Sequence, residues 1–401
     1  MNDSLSRLAP WLLSPLAILG IGLLLAQLIG LLLAARGLPK LYGAVVAGLL
    51  LGVSGLGLVD SALLAQFQEL VNAATALVLF EVGRKMDVQW LWRSRREGAA
   101  LTLACALRGL AAFACLAAFG MPLPDAAFIA VILMAASPII YGSMVADANA
   151  SGIATFAGAN MVGLGCVLVL LAMAPSLAWL KAAAGTAGMV HELGNQLGRL
   201  ALGAVLAVLC YALYAMATRV SRAPARQRPP MLLAALLMDL GLCSVSGASA
   251  LLSLLLMGLF LRNAERRDNV FQAQLKTAQD IGYLMLFMVS AALVPLGQMM
   301  VLPTLALALL LLLLRMGATR LALGLSGAWS AQKKRALALS TCSLVSFGTL
   351  MVDNTLAIHP GLGPGAAQLM AALLGLNVLI APALTWWGLK VATEAHEEHD
   401  D

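Results

Sequence analysis

Charge is scarce in this sequence. Only 11% of its residues are Asp, Glu, Lys or Arg, against about 25% in soluble domains, while 61% are hydrophobic and the mean hydropathy is +0.92. A water-soluble fold has too little interior to hide that much apolar surface. Also missing is a polar block long enough to fold by itself: apolar runs recur from Trp11 to Lys390, so the reading is one membrane domain spanning 1–401. Cysteine is sparse and unpaired in spacing. Cys105, Cys115, Cys166, Cys210, Cys243 and Cys342 all lie within apolar runs with no nearby histidine, which excludes a zinc framework and points to packing residues. His-Glu-x-x-His, Gly-x-Ser-x-Gly and a Gly-Lys-Ser/Thr phosphate loop are all lacking, so an enzyme is not indicated; nor is a cofactor.

The net charge of +6 does not mark nucleic-acid binding, because the cations sit in alternate loops between apolar runs. A spanning helix needs roughly 20 apolar residues. By that measure there are about thirteen transmembrane segments: 11–35, 41–58, 62–83, 98–119, 125–146, 153–174, 197–217, 230–246, 247–261, 277–296, 300–324, 336–357 and 364–389. The first is too long for a signal h-region and reads as a retained helix. The eighth and ninth are separated only by Ser244-Val245-Ser246-Gly247.

With thirteen crossings, one side receives Arg36 and Lys40, Arg84 to Arg96, Arg219 to Arg228, Arg262 to Lys276, and Lys333 to Arg335, whereas the other has only Arg7, Lys181 and Arg199. Lys and Arg resist translocation, so the N-terminus is expected outside and the C-terminus in the cytoplasm. Short loops and Ala/Leu/Arg richness suit a bacterial inner membrane. The acidic tail with His396 and His399 reads as a solvated terminus, and His191 and Glu192 as exposed polar residues of an outside connector.

Segment five carries Ser137-Pro138 and Gly142 near mid-membrane, and segment twelve carries Ser340, Thr341, Ser343, Ser346 and Gly348. Both read as discontinuous helices. They lie seven crossings apart, and an odd offset reverses direction, as in inverted-topology repeats. Arg108 and Arg315, and Asn160 and Asn377, recur with the same offset. The expected repeats are approximately 11–174 and 230–389, linked by 175–229. Buried charge costs about 2.5–3.5 kcal/mol on insertion scales, so Arg108 and Arg315 need partners, and Asp239 is the most deeply placed acid. The candidate ion-binding residues are Asn160, Ser137, Thr341, Ser346, Arg315 and Asp239, with no metal site.

Leu38-Pro39 with Gly43 to Gly52, Phe80-Glu81-Val82-Gly83 to Asp87, Asp239-Leu240-Gly241 to Gly247 leading to Met257-Gly258, and Arg315 to Arg320 follow one another in an order that resembles the monovalent cation:proton antiporter superfamily, sodium/hydrogen exchanger type. The resemblance implies a core with two crossing broken helices, an elevator-like cycle, a homodimer, and exchange of a small inorganic ion for protons across the lipid bilayer. Where that family carries Asn-Asp or Asp-Asp in its sixth helix, this chain has Ala159-Asn160-Met161, and asparagine cannot titrate. The leading expectation is therefore a secondary active transporter, sodium or potassium against protons. The alternatives are an anion or organic-acid transporter of the same fold, suggested by the two deep arginines, or a transport-inactive sensor.

Overall fold

The computed structural model describes residues 14–59, 66–185, 188–221, 228–264, 269–294, 296–299, 301–344 and 362–395, and these are all helix, turn or irregular with no strand. In chain order the helices are α1 (Pro15–Ala34), α2 (Leu41–Leu51), α3 (Gln68–Lys85), α4 (Val88–Arg93), α5 (Arg95–Ala118), α6 (Leu123–Met134), α7 (Pro138–Asp147) and α8 (Ile153–Ala183). They continue as α9 (Met189–Val220), α10 (Arg228–Ser246), α11 (Ala250–Ala264), α12 (Asn269–Ala292), α13 (Leu296–Met299), α14 (Leu302–Leu325), α15 (Ala331–Ser340) and α16 (Pro364–Val391). Each of the thirteen expected segments holds a helix. Among the described residues eight spans, counting α6 with α7 as one, are long and apolar enough to cross a membrane, which makes this a multi-pass membrane protein.

The helices invert the soluble pattern. α9 buries only Glu192, Gly203, Ala207, Cys210 and Tyr214, and turns Val205, Val208 and Leu209 outwards. Small residues face inwards so that backbones can approach closely, the packing that membranes favour because lipid gives no hydrophobic drive between helices. α3 and α11 are the tightest such pair. A Cβ at Gly83 would lie 1.9 Å from the Leu255 carbonyl oxygen, and one at Gly258 would lie 2.0 Å from that of Phe80, so each helix supplies the glycine that admits the other.

Segment five breaks where its sequence requires. Pro138 has no N–H and its ring fixes φ, so it can open a helix but not continue one. α6 ends at Met134, Ala135 to Ser137 run extended, and α7 starts at Pro138 with the Ser137 hydroxyl accepting from the Ile140 N–H at 3.3 Å. In segment twelve α15 ends at Ser340, and Thr341 to Leu344 are non-helical. Its remainder, with Ser346, lies outside the described residues.

Two boundaries differ from expectation. α8 continues past the expected end at 174 through Pro175 to Ala183, and α9 begins at Met189 rather than 197. Glu192 is consequently buried rather than exposed: Lys181 pairs with its carboxylate and Gln196 donates to it at 2.8 Å. The apolar-run criterion failed here because a charge neutralised across two helix ends is compatible with helix.

The start of α8 is fastened to the end of the chain. Glu394, just beyond α16, accepts from the N–H groups of Ala154 at 2.8 Å and Thr155 at 2.7 Å and from the Thr155 hydroxyl at 2.9 Å, while its own carbonyl accepts from Ser151. A carboxylate on unpaired N–H groups and on the positive end of a helix dipole typically contributes about 1–2 kcal/mol. Glu394→Ala is expected to lower the thermal midpoint in detergent by several degrees, and Glu394→Gln by less. Equal midpoints for all three proteins would show that the cap adds nothing.

Candidate functional site

The irregular stretches of segments five and twelve meet. The Ser137 N–H donates to the Ser343 carbonyl at 2.8 Å, with both residues fully buried. This cross-link pairs main-chain groups of two non-helical stretches, a requirement wherever backbone is irregular at membrane depth.

Above it stand the two arginines. Arg108 on α5 is 1% exposed; its Nε donates to Thr319 Oγ1 at 2.8 Å and its Nη2 to Thr341 Oγ1 at 2.5 Å. Arg315 on α14, also 1% exposed, donates from Nη2 to the Ala135 carbonyl at 2.6 Å, in the extended break of segment five. Each arginine thus bonds into an irregular stretch: Arg108 reaches Thr341 in segment twelve and Arg315 reaches Ala135 in segment five. Thr319 joins them, since its hydroxyl also donates to the Arg315 carbonyl.

The asparagines match as well. Asn160 on α8 accepts from the Asp87 N–H at 2.8 Å and donates to the Phe156 carbonyl at 3.0 Å. Asn377 on α16 accepts from the Leu344 N–H at 3.1 Å and donates to the Leu373 carbonyl at 2.7 Å. Each uses its amide oxygen to satisfy a main-chain donor at a helix break and its amide nitrogen to anchor itself one turn back.

The electrostatics of this centre are cationic. Arg108 Nη1 and both Nε and Nη1 of Arg315 are buried without a hydrogen-bond partner, as is the Ser343 hydroxyl. No described carboxylate forms an ion pair with either arginine. Glu81 is taken by Arg84 and Lys85, and Asp87 caps α4 through Trp90 and faces Arg262 at 3.8 Å.

Of the candidate residues, Ser137, Thr341 and Arg315 therefore converge at the crossing, and Asn160 braces the helix beside it. Asp239 does not join them. It is fully buried on α10, where Ser253 of α11 donates to its Oδ1 at 2.7 Å and the Cys243 thiol lies 4.0 Å from the same oxygen. Sequence reasoning missed Thr319, although it sits one helical turn after Arg315 on the same face, a spacing that marks it as a partner. It also missed the Ala135 carbonyl, which no side-chain pattern announces.

Irregular main chain buried inside an apolar helical bundle, with two buried arginines bonded into it, is a feature of membrane transporters. The chain belongs to the sodium/hydrogen exchanger transmembrane family, whose model matches residues 20–385. It shares its fold with the sodium proton antiporter MjNhaP1 from Methanocaldococcus jannaschii. The MjNhaP1 structure at pH 8 superposes with a TM-score of 0.69 and the one from an electron-microscopy map with 0.71, each at 17% identity over 96% of this chain and 99% of that one. No curated protein matches.

Proposed function

We propose that this protein is a secondary active transporter that exchanges a monovalent cation, sodium or potassium, for protons at the crossing of segments five and twelve. The observation that carries the reading is the Ser137–Ser343 contact, with Arg108 and Arg315 each reaching across to the opposite break. Irregular backbone at that depth presents carbonyl and N–H dipoles to an ion, which regular helix cannot do. Ser137, Thr341, Asn160 and, beyond the described residues, Ser346 form the ion site. Arg315 supplies fixed charge, and Asp239 carries the proton. The repeats 11–174 and 230–389 flank the linker 175–229, and the core moves in an elevator-like manner within a homodimer. The membrane is a bacterial inner membrane with the N-terminus outside and the C-terminus in the cytoplasm.

A second reading, carriage of a small anion or organic acid, is favoured by the three unbonded guanidinium nitrogens and the missing carboxylate, since Arg and half-helix N-termini both attract negative groups. One experiment separates the two. In proteoliposomes holding an imposed pH gradient, external sodium or potassium is expected to dissipate the gradient, and replacement of chloride by impermeant gluconate to leave the rate unchanged. No cation response, together with stabilisation by small carboxylates that Arg315→Ala removes, would move the assignment to the anion. Binding of either ion without flux would mark a sensor.

A further inference from the structure

At one end of the bundle a cavity of about 330 Å³ lies between α8 and helices α3, α9, α10 and α11. That volume falls within the roughly 300–1,000 Å³ of small-ligand pockets. Its position follows from the residues that line it: Asn72 and Thr75 near the start of α3, Gln196 and Arg199 near the start of α9, Cys243 and Ser244 at the end of α10, and Ala250 to Leu254 at the start of α11. The far ends of these four helices carry Arg84, Arg219, Arg228 and Arg262. The cavity therefore opens on the face opposite the cationic loops, away from the arginine centre.

The lining is divided by chemistry. Leu170, Met173 and Leu177 of α8, with Leu240 and Leu254, form an apolar floor, while Asn72, Gln196, Ser244 and Ser249 give polar groups at the rim. Among the described residues of the lining, Arg199 is the charged one. Its position is fixed twice by the turn between α10 and α11: its Nε donates to the Gly247 carbonyl at 2.7 Å, and its own carbonyl accepts from the Ser249 N–H at 3.0 Å. Its two terminal amino groups remain open to solvent-borne ligand. Lys181, the other described cation expected on this face, is already paired with Glu192.

We infer that this cavity is a binding site for an amphiphile with one anionic head, a carboxylate or phosphate, held by the Arg199 guanidinium with its hydrocarbon chain on the leucine floor. A planar fork of donors suits such a head, because it can bond two oxygens at once. The apolar floor makes a small inorganic ion too small to be the full occupant, and the Arg199 guanidinium repels an amine. The inference stands whichever ion the crossing of segments five and twelve carries. It gives the wall formed by α8, the helix bearing Asn160, a ligand that spans from α8 to α9, α10 and α11.

Thermal unfolding of the full chain in phosphatidylcholine nanodiscs, titrated with octanoate, octanol or octylamine, tests this. Octanoate is expected to raise the midpoint saturably, with a half-saturating concentration at least about tenfold lower than for the other two, because only its head can make a charge-assisted fork contact. Arg199→Gln should erase that preference, and Ala248→Phe, which fills the cavity, should erase the response. If Ala248→Phe does not fold, the Arg199→Gln comparison at the exposed rim decides alone. Repeating the titration in phosphatidylglycerol nanodiscs identifies the source: loss of the octanoate response there assigns the site to a lipid headgroup, and its persistence assigns it to a free acid. Equal responses to the three probes, or an unchanged octanoate preference in Arg199→Gln, would overturn the inference.

Discussion

Arg108→Lys is expected to reduce flux in proteoliposomes by at least tenfold and to cost about 2–4 kcal/mol of stability, the range for breaking charge-assisted bonds inside a protein. The guanidinium spans two hydroxyls on two elements, Thr319 on α14 and Thr341 beyond α15, from Nε and Nη2. An ammonium is a point donor on a differently shaped stem and cannot hold both at once. One of the two threonines would then be left buried without its partner, and the irregular turn after Ser340 would lose its tie to α5. Arg108→Met separates the causes, because it keeps most of the side-chain volume without the charge. It is expected to be more stable than Arg108→Lys, since no unpaired cation stays in the interior, yet equally defective in flux. Detergent unfolding and flux measured on the same preparations check both statements. Wild-type flux in Arg108→Lys would mean that the bridge to Thr341 plays no part in transport.

Much of this centre was legible in the sequence because membranes make polar residues conspicuous. Among apolar runs, an arginine or asparagine cannot be placed casually, so Arg108, Arg315, Asn160 and Asn377 stood out, and all four are buried with partners on other elements. Ser137-Pro138 likewise announced its break, since proline forbids the helical bond. What the sequence hid has one physical cause: partners supplied by the main chain leave no residue-type signal. The Ala135 carbonyl under Arg315, the Asp87 N–H on Asn160 and the α8 terminus under Glu394 all belong to that class. Glu192 was misread for a related reason, because burial of a carboxylate depends on a lysine eleven residues away across a turn. Asp239 was singled out correctly as a buried acid, but its depth in the membrane gave no information about which helices it faces.

Asn160→Asp is the substitution with the largest expected gain. In the native site the amide oxygen accepts from the Asp87 N–H at 2.8 Å, and a carboxylate oxygen can do the same. The amide nitrogen, however, donates to the Phe156 carbonyl at 3.0 Å, and a carboxylate has no proton for that bond. Two oxygens would then face one another at hydrogen-bond distance. Only a proton on the new acid or a cation between the two relieves that repulsion, which is the either-or occupancy that exchange of one for the other requires. At low pH the protonated acid mimics asparagine by donating to Phe156. As pH rises the acid must release its proton, so stability is expected to fall in a large inert cation such as choline and to be restored by sodium or potassium. Cation-dependent proton flux should increase by about tenfold or more on the alkaline side, equivalent to about 1.4 kcal/mol at the transition state. The wild-type amide lacks that titration, so in choline its stability should not show the fall with rising pH expected of Asn160→Asp. If neither flux nor the alkaline midpoint of Asn160→Asp responds to sodium or potassium, the ion does not pass beside α8, and the crossing of the broken helices must be loaded from another side.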